Sequence, residues 1–472
     1  MKKIIIVGGG IAGLAAAYRI QQEIARKTIS LECVLLEGNK KLGGKIQTER
    51  FDGFIVEGGP DSFISQKPWA IELCKQLGLS DRLVGTNQEK TATYVYTGNK
   101  LRPMPDGLSL MIPTKFLPFM TTRLFSPAGK IRMGMDLIAP RKPDTDDESL
   151  ASFIRRRLGE ECLKKMAEPM LAGIYASDPE KMSIKATFPM FFQTEQKYRS
   201  LILGMLARKR QMAQKKSAPQ PLSLFMTLKN GLGEMVETLT EKSPDIEFRT
   251  ATKVDSVAQN TEGWKLALDG GETLTADAVI LAPPANISAK LIQDTVPRVA
   301  ELLNRIHYVS TATVTLAYRK EGFSHPLNGF GFVVPKAEKC NIMACTWTST
   351  KFPQRAPDGF VLIRCFVGGA LQEELAERDS ESIASLAQID LKRIMGINEK
   401  PIFCRVYSNR KANVQYHVGH QMLIGEVQKE LQKYPGLYLS GSAYTGIGVP
   451  DCIQNGTRNA EAALADLACI IK

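Results

Sequence analysis

The stretch that most limits what this chain can become runs from Lys2 to Lys45. Ile4, Ile5, Ile6 and Val7 form a short apolar, β-branched run, the pattern of a strand buried in a parallel sheet. The run breaks at Gly8, Gly9 and Gly10, and Gly13 follows. Ile11, Leu14, Ala15, Ala17, Tyr18 and Ile24 then recur at helical spacing. Each glycine has its own physical task. Gly8 makes the tight turn, Gly10 lets a pyrophosphate approach the backbone, and Gly13 lets the helix pack closely on the strand. The helix start aims unpaired N–H groups and its positive end at the diphosphate. A second strand, Leu31 to Leu36, ends in Glu37, whose carboxylate can accept from both ribose hydroxyls. Strand, glycine turn, helix and acid in that order point to an adenine dinucleotide. Lys2 and Lys3 before an apolar run also open secretory leaders. The glycines, the amphipathic helix and the lack of a cleavage region argue against that reading.

A chain of 472 residues is too long for one core, so two or three subdomains are expected. No apolar run is long enough to cross a bilayer. Gly107 to Phe125 comes nearest, but Lys115, Arg123 and two prolines interrupt it, and it reads as a buried lobe before a shallow interfacial patch. Lysine and arginine number 61 against 49 acidic residues, a net charge of +12. Such an excess suits nucleic acid, an anionic membrane surface or an acidic substrate. Part of it is local, at Arg208, Lys209, Arg210, Lys215 and Lys216, which read as a solvated loop. With no recognition module in the sequence, nucleic acid is not an expected partner. Nine cysteines without a framework read as reduced thiols of a cytoplasmic protein. Cys340 and Cys345 have the CxxxxC spacing of flavin disulfide reductases. They lie far from the first nucleotide unit in a strand-like stretch, so they read as core. No metal site is expected.

Along the chain, Gly43-Gly44 make a second glycine turn with Lys45 beside it, where a cation could meet a phosphate. A helix is expected over Pro68 to Leu77, and a hairpin over Tyr94 to Met104 turning at Gly98-Asn99. Leu108 to about Met205 is mainly helical. Leu228 to Leu239 reads as a helix, Ile246 to Val257 and Trp264 to Leu268 as a hairpin, and Ala278 to Ala282 as a buried strand stopped by two prolines. Strands dominate Val309 to Val367, and a helix follows over Glu381 to Met395. The last unit is a strand, Leu437 to Leu439, a loop with Gly441, Gly446 and Gly448, and a helix with Pro450 in its first turn. Gly231 to Gly233 lacks a convincing preceding strand, and Gly329 to Phe332 lacks a third glycine. One dinucleotide is therefore expected, with no separate nicotinamide domain.

These features resemble the FAD superfamily that holds the amine oxidases and porphyrinogen oxidases. The likeness spans nearly the whole chain, through FIVEGGPDSFISQK, PTKFLPF, GIYASDPEKMS, FRTATKV, CTWTSTKFP, QYHVGH and GIGVPDCIQNG. Together these resemble the Gram-positive-type porphyrinogen oxidases of haem synthesis, which act on coproporphyrinogen III and also accept protoporphyrinogen IX. The resemblance implies an α/β fold: a discontinuous Rossmann-type FAD-binding domain, a mixed-sheet substrate domain and an inserted helical lobe. The expected ranges are 1–90, 225–285 and 435–472 for FAD, 91–207 for the lobe, 208–224 for the basic loop and 286–434 for the substrate domain.

It implies that Gly8, Gly9, Gly10, Ile11, Ala12 and Gly13 hold the diphosphate and Glu37 and Gly38 the adenosine ribose. Gly44 and Lys45 lie by the phosphates, with lysine where arginine is common; that replaces a bidentate fork with a point charge. Gly58, Gly59, Pro60 and Asp61 approach the flavin, and Val254 meets the adenine. Ile447, Gly448 and Val449 lie at the pyrimidine end, where the last helix aims its positive end and stabilises the reduced flavin. Lys67, Arg102 and Tyr175 are the candidates for the substrate, each also readable as surface or packing. An Arg-Trp pair and a proline common in the family before QYHVGH are missing. Val414 stands at the proline position, and Tyr407 or Asn409 at the tryptophan. No general base is assigned. His417 and His420 are the titratable candidates, against structural hydrogen bonding at a turn. Dioxygen is the expected acceptor and peroxide the by-product, with room for transient contact with a haem-pathway enzyme or a membrane surface. Two rivals stand: a flavin amine oxidase, and a non-catalytic binding protein like the GDP-dissociation inhibitors.

Overall fold

The computed structural model describes residues 2–26, 30–109, 111–143, 146–214, 223–261, 263–321 and 323–470. The chain divides into two compact units. The first comprises Met1–Thr86, Leu222–His307 and Met422–Lys472, the second Asn87–Pro221 and Tyr308–Gln421.

The first unit is built on a five-stranded, all-parallel sheet. Its strands are β1 (Lys2–Val7), β2 (Leu31–Leu36), β3 (Ile246–Arg249), β4 (Ala278–Leu281) and β5 (Leu437–Leu439). They lie in the order β3-β2-β1-β4-β5. Ile4, Ile5, Ile6, Val34, Leu35, Val279 and Ile280 are wholly buried, which is why these segments read as unbroken apolar runs. Helix α1 (Ile11–Ala25) and helix α2 (Val449–Ile470) pack on each other. A Cβ on Gly456 would lie 2.0 Å from the Ala12 carbonyl oxygen, so the two backbones nearly touch.

Three expectations are corrected in this unit. Ile246 to Val257 is not one hairpin strand: Ile246–Arg249 joins the sheet edge, and Val254–Asn260 pairs antiparallel with Gly263–Leu268. The break between them holds the end of β2, since Glu37 N donates to Arg249 O at 2.9 Å and Thr252 N to Glu37 O at 2.9 Å. Of the helix expected over Leu228 to Leu239, Leu228 instead ends a strand, Phe225–Leu228, and the helix starts later and runs over Gly233–Glu241. That strand precedes the Gly231–Gly233 turn, and the turn's N–H groups already have partners within the protein. The Glu57 carboxylate accepts from Leu232 N at 2.8 Å, and Thr48 Oγ1 accepts from Gly233 N at 2.8 Å. The chain's own acid holds the helix start. Finally, 286–307 and 422–434 belong to this unit and not to a 286–434 domain. The helix Ala285–Ile292 packs on Val254–Asn260, and Arg298 and Arg305 both approach Glu426, at 3.8 and 4.0 Å.

The second unit centres on a mixed seven-stranded sheet. Its strand order is Phe403–Gln415, His307–Arg319, Phe360–Gly368, Ile342–Thr346, Gly331–Val333, Thr93–Thr97 and Lys100–Pro103. Alternation assigns its two faces. Tyr96, Phe332, Cys345 and Cys365 join a core capped by the helix Ser380–Met395, whereas Val95 joins the core of the helical segment. Residues 87–221 thus share one unit with this sheet. Of the predicted basic loop, Arg208, Lys209 and Arg210 are helical, within Leu201–Gln214, and residues 215–222 lie outside the described residues. Cys345 sits opposite Cys365 in register, and it and Cys340 are buried thiols, as a core reading requires.

The helical segment is organised by a buried ion pair. Arg157 and Asp136 are both fully buried and paired. Arg157 donates further to the carbonyls of Ala139, Pro140 and Arg199, and Asp136 accepts from Ser200 Oγ at 2.6 Å and Ile202 N at 3.0 Å. Among the described side chains of 107–125, burial is one-sided. Phe119, Leu124 and Phe125 are core, while Phe116 and Leu117 are 78% and 71% exposed.

Candidate cofactor site

The turn between β1 and α1 has the geometry its glycines require. Gly8 has φ +101°, a conformation that disfavours any side chain, and its N–H donates to Leu36 O at 2.7 Å. A Cβ on Gly13 would stand 2.0 Å from the Gly8 carbonyl oxygen, so only glycine lets the helix lie this close. A Cβ on Gly10 would meet no atom within 4 Å. Helix α1 starts there with no side-chain cap and no acid in its first turn. The open space at Gly10 thus adjoins a helix start that carries no acid of its own, and this cradle fits a diphosphate.

Glu37, at the end of β2, is buried. Its Oε2 accepts from Gly9 N at 2.7 Å and its Oε1 from Asn39 N at 2.8 Å. The acid is thereby held against the glycine turn, with Gly38 following it. The second glycine turn closes on the first: Gly43 N donates to Gly9 O at 2.8 Å, and a Cβ on Gly44 would lie 3.1 Å from Gly10 Cα. Lys45 is half-buried beside it, and burial pulls its ammonium below the ordinary lysine value, with Cys452 acting the other way. Burial pushes the Cys452 thiol up to about 12, which fits core packing and not a reactive thiolate. A Cβ on Gly59 would stand 1.7 Å from the Lys45 carbonyl oxygen. Gly58 N donates to Gln47 O at 2.8 Å, and Asp61 O accepts from Thr227 Oγ1 at 2.8 Å, so the Gly58–Asp61 segment, Pro60 included, is fixed at both ends. Val254 opens the antiparallel hairpin and is buried.

At the far end of the sheet, β5 leads to the last glycine loop. Asn455 Oδ1, on α2, accepts from Gly441 N at 2.7 Å, and Asn459 Nδ2 donates to Leu439 O at 2.7 Å. Ile447 and Gly448 lead into α2, which starts at Val449. Asp451, in the first turn, accepts from Gly448 N at 3.2 Å and is salt-bridged to Lys67 at 2.6 Å. The sequence reading missed Asp451, Asn455 and Asn459. Gly-Val-Pro-Asp was the available signal, because an acid three residues after a helix cap reaches back to the cap's N–H.

The structure brings Gly8 to Gly13, Glu37 and Gly43-Gly44 together and places Lys67 on Asp451. Arg102 and Tyr175 belong to the second unit. Arg102 lies opposite Val95 on the outer strand, and Tyr175 packs edge-on against Phe188 with centroids 5.6 Å apart. His420 is buried and stacks on Tyr416 at 3.9 Å between centroids. Gly419 N donates to Asp147 Oδ2 at 2.9 Å, so the QYHVGH turn is built into the fold. Tyr407 and Asn409 lie on the strand Phe403–Gln415, and Val414 on it is buried. No group of metal-ligating side chains occurs among the described residues.

Residues 11–464 match the family model for flavin containing amine oxidoreductases. The chain belongs to this family. Its cofactor is FAD, and the open cradle at Gly10 with the buried acid at Glu37 suits the adenosine diphosphate half. Among curated members, the coproporphyrinogen III oxidase of Bacillus subtilis is 40% identical, covering 98% of this chain and 97% of its own. That of Staphylococcus aureus is 34% identical, over 99% and 100%. A crystal structure from Exiguobacterium sp. 255-15, provisionally assigned as a protoporphyrinogen oxidase, superposes with a TM-score of 0.86 at 34% identity over 99% of both chains.

Proposed function

We propose that this flavoprotein oxidises coproporphyrinogen III to coproporphyrin III, accepts protoporphyrinogen IX as well, and passes the electrons to dioxygen with release of hydrogen peroxide. Full-length likeness to two coproporphyrinogen III oxidases is the observation that carries this reading. When bound, FAD would supply the redox chemistry two electrons at a time, so six-electron aromatisation would take three rounds. The chain's part is to hold and orient. Gly8 to Gly13 and the start of α1 grip the diphosphate, Glu37 the ribose, Val254 the adenine, and Ile447 to Val449 the pyrimidine end. Arg102 and Tyr175 are the candidates for contacting the substrate, Arg102 as a cation for a carboxylate. An amine oxidase is less well supported, since only Tyr438 and Tyr444 are offered near the last loop as cage aromatics.

Anaerobic coproporphyrinogen III is expected to bleach the bound flavin, and air to restore it with peroxide and porphyrin fluorescence. Flavin that stays oxidised under excess substrate would remove the proposal. A colourless protein would favour the binding-protein rival.

The helical segment supports a transient contact with an anionic membrane surface. Ile131, Met135 and Ile138, at positions i, i+4 and i+7, are all exposed, as are Phe116, Leu117 and Met120. Their neighbours in sequence include Lys115, Arg123, Lys130, Arg132, Arg141 and Lys142; Asp136 is buried on Arg157, and Glu161, bonded to Ser126, is paired with Lys165. Exposed apolar side chains interleaved in sequence with cations are the composition of a surface-seeking segment. No helix among the described residues is long and apolar enough to span a membrane. The protein should sediment with phosphatidylglycerol vesicles, and Phe116→Ser/Ile131→Ser should not; equal sedimentation of both would discard the contact.

A further inference from the structure

Lys67 was a candidate for binding a substrate carboxylate, but its Nζ lies 2.6 and 2.7 Å from the two carboxylate oxygens of Asp451, 384 residues away. We propose that Lys67 and Asp451 form a positioning pair that fixes the Gly446–Val449 loop and sets the charge at the redox end of the cofactor. This rests on the placement of that loop given under the proposed function. The loop is shaped around the carboxylate. A Cβ on Gly446 would lie 2.4 Å from Asp451 Cγ, one on Gly448 would lie 3.0 Å from Asp451 Oδ2, and Gly448 N donates to that same oxygen. The Lys67 side chain is 43% exposed and that of Asp451 8%. Two residues on, Trp69 Nε1 lies 2.9 Å from the Gln454 side-chain amide, one turn further along α2.

The electrostatics follow from position. The start of α2 carries a partial positive charge, which favours a reduced, anionic group beside it. Asp451 places a full negative charge in that first turn and would outweigh the helix. Lys67 neutralises it, so the positive end of α2 is felt again. Lys67 is thus a positioning residue acting through Asp451, and the lysine charge is spent inside the protein.

The test uses holoenzyme and reads the midpoint potential of bound FAD by anaerobic dye-linked titration, without porphyrinogen. In Lys67→Met the reduction equilibrium should become about tenfold less favourable, roughly 30 mV more negative for a two-electron couple. Lys67→Arg should keep the wild-type potential. Lys67→Met/Asp451→Asn should return to within about twofold of it, since the unpaired charge is gone. An unchanged potential in Lys67→Met overturns the proposal, and a raised KM for coproporphyrinogen III alongside it would make Lys67 a substrate clamp. If Lys67→Met loses FAD on purification, recovery of yellow protein in the double variant supports the pair, and no recovery overturns it. Because the potential is read without substrate, failure to oxidise porphyrinogen bears only on the functional reading.

Discussion

Gly13→Ala should leave the purified protein nearly colourless, with FAD affinity down by about 100-fold, while Gly10→Ala should lose affinity without losing apoprotein stability. The two glycines stand three residues apart in the same turn, yet a methyl group meets different things at each. At Gly13 it would come 2.0 Å from a backbone oxygen, so α1 must move off β1 or the turn must deform. Such overpacking costs about 1–3 kcal/mol in stability, and it also displaces the N–H donors of the cradle. At Gly10 a methyl group meets no protein atom within 4 Å. The fold should not respond, and only a ligand pressed against that backbone would. Thermal unfolding of the apoprotein and FAD binding followed by fluorescence quenching separate the two cases. If Gly10→Ala binds FAD as well as the parent does, no diphosphate lies over that residue.

Arg157→Met should be the most destabilising single change in the helical segment, by about 3–5 kcal/mol, because it strands a buried carboxylate. Asp136 would keep Ser200 Oγ and Ile202 N but lose its counter-charge, and the carbonyls of Ala139, Pro140 and Arg199 would lose their donor. A fall on the order of 10 °C in the unfolding midpoint by circular dichroism is expected. Arg157→Met/Asp136→Leu should recover part of it, since the stranded charge is removed as well. A midpoint within about 2 °C of the parent in the single variant would mean that water reaches Asp136 and that the pair carries little.

What the sequence disclosed follows from locality. Strands β1, β2 and β4 lie inside a parallel sheet, so their buried parts, Ile4–Val7, Cys33–Leu36 and Ala278–Leu281, are written as continuous apolar runs that need no partner to be recognised. Glu37 was visible because its place is fixed by distance along the chain from the glycine turn. Phe225–Leu228 was hidden, since a four-residue antiparallel strand has too few side chains to show a period. The division of 246–257 was hidden as well, because it depends on Glu37 bonding to Arg249 and Thr252, more than 200 residues away. Lys67 looked like an available cation for the same reason. Its partner is nearly the length of the protein downstream, and no spacing rule joins position 67 to position 451. The strand before the Gly231 turn was not visible in the sequence, and neither was Glu57, which accepts from Leu232 N there.

The order β3-β2-β1-β4-β5 sets a timetable for synthesis. The glycine turn leaves the ribosome long before α2, which packs on α1, and β5, which completes the sheet. A nascent polypeptide therefore carries the apolar side of α1 uncovered until α2 has been made. Chaperones can act in that interval, and the sheet behind the glycine turn is finished only at its close.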